Sequence, residues 1–456
     1  MTDRVPAEAE RRLREGLERL SRRAPRAFEP PPTMLRRARR RVWVTAVGAL
    51  SVLVATTVGG VAITRSLAER PHRPIPVGPQ SPTSTQGPTP EQGPATQCTF
   101  ASVMLPELPT RLRKAVEANG TFQLIDADGT SPDDVWLSGA IHGDFSKPAV
   151  TIGVFLHWDG SSMTVLPPLD NMEAGGVEAL APDDAWATTG SGPVHWDGAS
   201  WSPHGDPVSA GRGLDFAISA SGPDDVWAVG SSTSNAPFAE HFNGTRWAEV
   251  PTPASLDLPA RGPWWIDLWD VVAVGPDDAW AVGGYIFQDQ GTERPEPPVV
   301  LHWDGDRWTT VDVPAPADAA YEGSEVAAGG PEDVWVAADA IFPDFETTPG
   351  LVLHWDGSSW SQATLASPPG MVLHIESVEV ASPHDVWAAG SAFDPASERS
   401  IPVIEHFDGA AWTMVPLSGG KPDAQGRVRS IRIIGDEVWG VGFTALHDPP
   451  FVSVCR

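Results

Sequence analysis

Six histidines in this chain of 456 residues share one setting. His157, His195, His241, His302, His354 and His406 each precede an aromatic residue, then Asp or Asn, then Gly. Six aspartates also recur: Asp134, Asp184, Asp225, Asp278, Asp333 and Asp385 each stand two residues before a tryptophan. Imidazoles and carboxylates can bind metal or move protons. Their recurrence points elsewhere. A residue found once per repeat sits on a different copy of one unit. Equivalent positions then lie around a ring too wide to share an ion, because zinc needs its ligands at about 2.0–2.3 Å. Structural hydrogen bonding is the expected role, and no metal or other cofactor is expected. DADG at 126–129 is a fragment of a calcium loop that lacks the third acid and the distal Glu.

Other chemistry lacks its parts. There is no nucleophile elbow, phosphate loop or HExxH. Arg212, Arg261, Arg294 and Arg399 have no diagnostic spacing. The chain has two cysteines and two tyrosines.

The elements that carry these residues follow from the repeat. Its first half is a Pro-Asp-Asp turn and a strand, as in GPDDVWAVG, with Trp136, Trp186, Trp227, Trp280, Trp335, Trp387 and a degraded copy at Trp439. The tryptophans are 50, 41, 53, 55, 52 and 52 residues apart, the period of a four-stranded propeller blade. The second half, as in HWDGSSW, joins two strands through an Asp-Gly turn, for which positive φ at both central positions is expected. The fold class is all-β: a seven-bladed β-propeller of four-stranded blades, preceded by a single transmembrane α-helix. The once-per-blade tryptophans are expected to pack between sheets.

Seven first halves but six second halves leave the last blade one strand short. CTFASVMLPELP at 98–109 resembles the outer strand WTTVDVPAP at 308–316, so the N-terminal strand is expected to complete the last blade and close the ring. Cys98 and Cys455 then fall on neighbouring strands and are expected to form a disulfide.

Charge divides the chain. Residues 1–73 hold 16 arginines and 7 acidic residues, and the rest holds 15 basic and 52 acidic ones. So acidic a surface repels nucleic acid and anionic lipid. Val42 to Ile63 has no charge and follows Arg36, Arg37, Arg39, Arg40 and Arg41. A span over 42–64 is expected, with residues 1–41 cytoplasmic and the remainder outside the cell. A cleaved signal peptide would need a shorter leader. Within 7–21, Leu13, Leu17 and Leu20 mark a short amphipathic helix that either docks a cytoplasmic partner or lies solvated. Residues 65–97, rich in Pro, Ser, Thr, Gly and Gln, read as a stalk before the propeller at 98–456.

The bipartite repeat resembles the Trp-rich, Kelch-like or galactose-oxidase-like propeller repeats of bacterial surface proteins. The Arg-rich run before the span is similar to the membrane-proximal part of actinobacterial anti-sigma-like proteins, without their zinc-binding His and Cys pattern. The first resemblance implies architecture and no particular activity. Galactose oxidase chemistry needs a Cys crosslinked to Tyr, and both cysteines here are assigned to closure.

Alternation of antiparallel strands places the uniform Pro-Asp-Asp and Asp-Gly turns on one face and irregular loops on the other. Binding favours irregular loops on a rigid scaffold. Trp264, Trp265, Tyr285, Phe287, Tyr321, Phe342 and Phe345 are the non-repeat aromatics expected there. Trp264 and Trp265, entering an innermost strand, would stack on a sugar or peptide if exposed, or plug a loop if buried. The expected function is ligand binding or sensing of a protein, glycan or cell-wall polymer. The alternatives are a surface hydrolase or lyase and a signalling scaffold. Three or more convergent Arg, Glu, Asp or Tyr side chains with shifted pKa values at the channel mouth would favour an enzyme, and an aromatic or flat acidic mouth would favour a binder.

Overall fold

The computed structural model describes residues 99–456 except 119, 143–150, 171, 209–212, 233–235, 254–263, 288–295, 317–318, 342–345, 419–424 and 445–449. The expected cytoplasmic helix, span and stalk, Cys98, Phe342 and Phe345 lie outside the described residues. Among the described residues no helix is long and apolar enough to cross a membrane.

Seven sheets of four or five strands form, antiparallel but for one outer pair, and in six of them the strand order runs from the channel outwards in chain order. Their inner strands are Thr121–Ser131, Ala174–Ala181, Gly213–Gly222, Trp264–Gly275, Tyr321–Gly330, Val372–Ser382 and Gly426–Ile434. Each touches the next, and the seventh touches the first, so the ring is closed. These are blades 1 to 7 of a β-propeller. Closure follows the expected route. Phe100–Ser102 lies antiparallel to Phe451–Cys455, with Ala101 opposite Val454 and Ser102 opposite Ser453. Phe100 is fully buried and meets the Trp387 ring edge-on at 5.9 Å. This covers the edge of Phe451–Cys455 that would otherwise stand open to another chain.

Two features go beyond the repeat. Leu417–Ser418 runs parallel to Phe100–Ser102 as a fifth strand. Residues Thr110–Glu117 form a helix that buries Leu112 against the core of blade 1.

The Asp-Gly turns differ from the expected two-residue hairpins. Trp158 pairs with Met163, leaving a four-residue loop. Within it only glycine takes positive φ, 82° at Gly160. The aspartate works through its side chain: Asp159 Oδ1 accepts the N–H groups of Ser161 and Ser162 at 2.9 and 2.8 Å. Asp197, Asp304, Asp356 and Asp408 repeat this arrangement, as does Asn243. Asn and Asp suit such turns because their short side chains mimic a backbone acceptor. Hydrogen bonds from Ser161 and Ser162 hold the Asp159 carboxyl well below its usual range.

The blade tryptophans are all buried, from 0% exposed at Trp227 and Trp439 to 5% at Trp387. They pack where adjacent sheets meet, together with outer-strand rings such as Trp308, 5.1 Å from Trp227. Fully burying such side chains supplies about 1.5–3 kcal/mol or more each.

Candidate functional site

The recurrent histidines and aspartates form one scaffold unit per blade. His157 Nε2 lies 2.7 Å from Asp134 Oδ1, and Trp136 Nε1 donates to the same oxygen at 3.1 Å. The imidazole covers the indole at 4.4 Å between ring centroids. Equivalent His–Asp contacts of 2.5–2.9 Å recur at His195, His241, His302, His354 and His406. Burial pushes the Asp134 carboxyl up, but bonds from His157, Thr130 and Trp136 outweigh it and leave the pKa below its ordinary value. Among the described residues no group of three or more His, Cys, Asp or Glu has metal-site geometry.

Chemistry of another kind converges on the central channel. The inner strands bulge just before the residue ten positions ahead of the blade tryptophan in five blades and nine ahead in blade 7. Three levels of side chains follow.

The level opposite the blade tryptophans holds Asp128, Glu178, Ser219, Glu379 and Arg432. The next holds Asp126, Asp270, Glu325, Ser377 and Ser430. Much of this is stitching between neighbouring blades. Asp126 and Asp128 accept the backbone N–H of Val177 and Ala179, at 3.1 and 2.7 Å. Asp270 accepts that of Val326 at 2.8 Å, and Ser377 that of Ile431 at 2.9 Å. Arg432 is the one cation at these levels among the described residues. It bonds Glu325 and stands 3.2 Å from Asp126 and 3.7 Å from Glu379. Six carboxyls around one guanidinium in a buried channel cannot all ionise cheaply. Burial raises Asp128 to about 6 and Glu379 to about 8, and pushes Glu178 and Asp270 well up.

The third level, nearer the variable loops, holds the bulge residues Phe216, Trp269, Ser324, Glu376 and Arg429. Phe216 and Trp269, on blades 3 and 4, stack at 4.7 Å with planes 31° apart. Neither belongs to a buried core cluster. On blades 6 and 7, Glu376 accepts from Arg427 and Arg429, each at 2.8 Å. Those two guanidinium groups outweigh burial and leave Glu376 below its ordinary pKa. Burial, then the charge of Asp339, raises Glu322 to about 7. Burial raises Glu173 to about 7 as well.

The sequence-chosen aromatics are brought together in part. Trp264 pairs with Phe287, Trp265 with Ile286 and Ile266 with Tyr285, so these positions share the variable-loop end of blade 4. Tyr285 is half-buried, and burial raises its pKa. Tyr321 is a correction: it is 2% exposed and packs into the core between blades 4 and 5. Its place at the start of an inner strand made it look like a loop residue. Sequence reasoning missed Phe216, Trp269, Glu376 and Arg429, although a signal existed. The first three stand eleven residues before Trp227, Trp280 and Trp387, and Arg429 stands ten before Trp439. A separate open groove of about 550 Å³ on the outside of blades 5 and 6 is lined by Trp335, His354, Leu365, Phe407 and Trp412, and no charges converge in it.

No family model and no curated protein matches this chain. Among solved structures, YCF48 from Cyanidioschyzon merolae is similar with a TM-score of 0.48 and 17% identity, over 78% of this chain and 98% of that one. The extracellular domain of a putative one-component system from B. thetaiotaomicron has a TM-score of 0.45 and 11% identity, over 78% of this chain and 40% of that one. A GH74 enzyme from Niastella koreensis has a TM-score of 0.46 and 12% identity, over 78% of this chain and 53% of that one. These likenesses are to propeller proteins of differing function, and the seven-bladed assignment for this chain rests on its own sheets.

Proposed function

We propose that this chain is a membrane-anchored, extracellular binding or sensing module that holds its ligand on the variable-loop face. One asymmetry carries the reading. The face of Asp-Gly and Pro-Asp-Asp turns spends its polar groups on its own backbone. The opposite end of the channel gathers aromatic and charged side chains that differ from blade to blade. Anchoring through residues 42–64, with 1–41 in the cytoplasm, is part of the proposal and rests on the charge pattern. So is the Cys98–Cys455 disulfide, which rests on the pairing of Phe100–Ser102 with Phe451–Cys455. The Kelch-like and anti-sigma-like resemblances are kept as proposals of kinship.

The full chain, held in mild detergent, is to be screened against peptides, glycans and cell-wall polymers. Binding that Trp264→Ala or a shortened 288–295 loop weakens is the expected outcome. Failure to bind any of the three classes refutes the reading. Surface biotinylation of intact cells tests the topology, since labelling of the propeller only after lysis contradicts it.

A second reading, a hydrolase or lyase acting on a polymer, is favoured by one observation. Burial raises both Glu322 and Glu173 to about 7, a range in which a carboxyl can take up or release a proton at neutral pH. Polymer turnover by the wild type that Glu322→Gln abolishes would establish it.

A further inference from the structure

The mouth of the channel has two unlike walls. On blades 3 and 4 stands the Phe216–Trp269 pair, with rings 4.7 Å apart. On blades 6 and 7 stands the Arg427–Glu376–Arg429 fork, with both contacts at 2.8 Å. Blades three apart in a ring of seven face each other across the channel. Arg429 is 40% exposed, so guanidinium donors remain accessible beyond the one spent on Glu376. Its charge also acts on Glu173 of blade 2 and Glu322 of blade 5, opposing the upward push of burial on both. Arg427 lies over the Phe443 ring at 4.7 Å, which fixes one side of the fork.

The ligand class follows from the mixture. A simple cation meets Arg427 and Arg429, and a simple anion meets Glu376 and Glu322. A polyol meets neither difficulty, because each hydroxyl both donates and accepts. Carboxylates accept from it, guanidinium groups donate to it, and a carboxyl near its pKa does either. Beside these stands the half-buried Phe216–Trp269 pair, its rings packed one against the other, and the outer face of such a pair suits the C–H face of a six-membered sugar ring. The Trp269 indole N–H is buried with no acceptor among the described residues. Trp227 and Trp280 share that property inside the blade cores, so the orphan alone marks nothing. What sets Trp269 apart is its position at a bulge on the channel edge, outside the cores.

We propose that the channel mouth is a saccharide subsite. A pyranose stacks on the Phe216–Trp269 pair, and its hydroxyls bond to Arg429 and Glu322. The proposal rests on the binding reading above and narrows it to one ligand class and one location.

The test is calorimetric titration of the full chain with oligosaccharides of glucose, galactose, N-acetylglucosamine and glucuronate. Tetralysine and tetraglutamate serve as charge controls. At least one oligosaccharide is expected to bind the wild type. Trp269→Ala is expected to weaken it about tenfold or more, while Met414→Ala, on an exposed outer strand, leaves it unchanged. Saccharide binding that Trp269→Ala leaves intact overturns the subsite but not the binding reading. So does binding of a charged peptide alone. Absence of binding by every probe overturns the subsite, and the peptide and polymer screen then decides the broader reading. If Trp269→Ala fails to fold, Arg429→Gln keeps a polar side chain at the mouth and removes the charged donor. About a threefold loss is then expected, and unchanged affinity overturns the subsite.

Discussion

Blade 7 and the other six blades solve one packing problem with different residues. In blade 1 the buried indole of Trp136 is held by Asp134 and covered by His157. In blade 7 the indole of Trp439 donates to Glu437 at 3.0 Å, and Val454 stands opposite it where a histidine would be. Arg456 takes over the histidine's polar duty, with Nε 2.7 Å from Glu437. The longer Glu carboxylate reaches a donor two residues further on. Blades 1 and 7 share an acceptor for the indole and a second donor for that acceptor, which the imidazole supplies in one and Arg456 in the other, whereas the indoles of Trp227 and Trp280 have no such acceptor among the described residues. Blade 7 also carries Arg427, Arg429 and Arg432, the cations of the channel levels described above, facing carboxyls of blades 1, 5 and 6. The blade assembled from both ends of the chain is also the one tied to its neighbours by charge.

The largest expected effect tests whether both kinds of blade depend on the indole alike. Trp136→Ala and Trp439→Ala should each cost about 3–5 kcal/mol, because each empties a fully buried site. Chemical denaturation that separates the two by more than about 2 kcal/mol would show that the blades are not equivalent. Arg432→Met should cost a similar amount, about 3–5 kcal/mol, at neutral pH and less in mild acid, where its carboxyl partners take up protons. An equal loss at both pH values would contradict the account of the channel.

The pH dependence of the wild type sharpens the same contrast. Folded pKa values raised above 3.8 and 4.5, to about 6 at Asp128 and about 8 at Glu379, mean that the native state binds more protons than the unfolded chain. Their contribution is complete below those ordinary values and is lost as pH rises towards about 8. Asp134, whose pKa is lowered, acts in the opposite direction: its contribution is present above 3.8 and is lost as pH falls through its folded value. Thermal melts should therefore peak in mild acid and decline towards pH 8, with Glu379→Gln flattening the decline. A melting temperature constant across that window would remove the basis for the buried carboxyl cluster.

The smaller effects compare the two polar units. Asp134→Ala strands several buried donors and should cost about 2–3 kcal/mol. Arg456→Ala should cost at most about 1 kcal/mol, because Arg456 is 59% exposed and its ion pair is screened. Denaturation midpoints that place the two losses in the reverse order would refute the proposed equivalence.

The sequence by itself determined the seven blades, their four strands and the closing partner of Phe451–Cys455. A turn signal and a buried tryptophan recur at a regular period, and each is a local requirement of the backbone or of one interface. It also settled the histidines as scaffold, because one copy per blade cannot converge. It misjudged the Asp-Gly turns, where side-chain acceptance by Asp replaced a second positive φ, and it misjudged Tyr321. Only the tertiary structure decided what faces the channel. Phe216, Trp269, Glu376 and Arg429 are four unlike residues, more than 200 positions apart from first to last. They are brought to one level by a bulge repeated in strands whose alternation otherwise reads as core. Period and alternation record what is common to the blades. The candidate site lies in what differs between them, and that becomes visible only when the ring closes and sets the differences side by side.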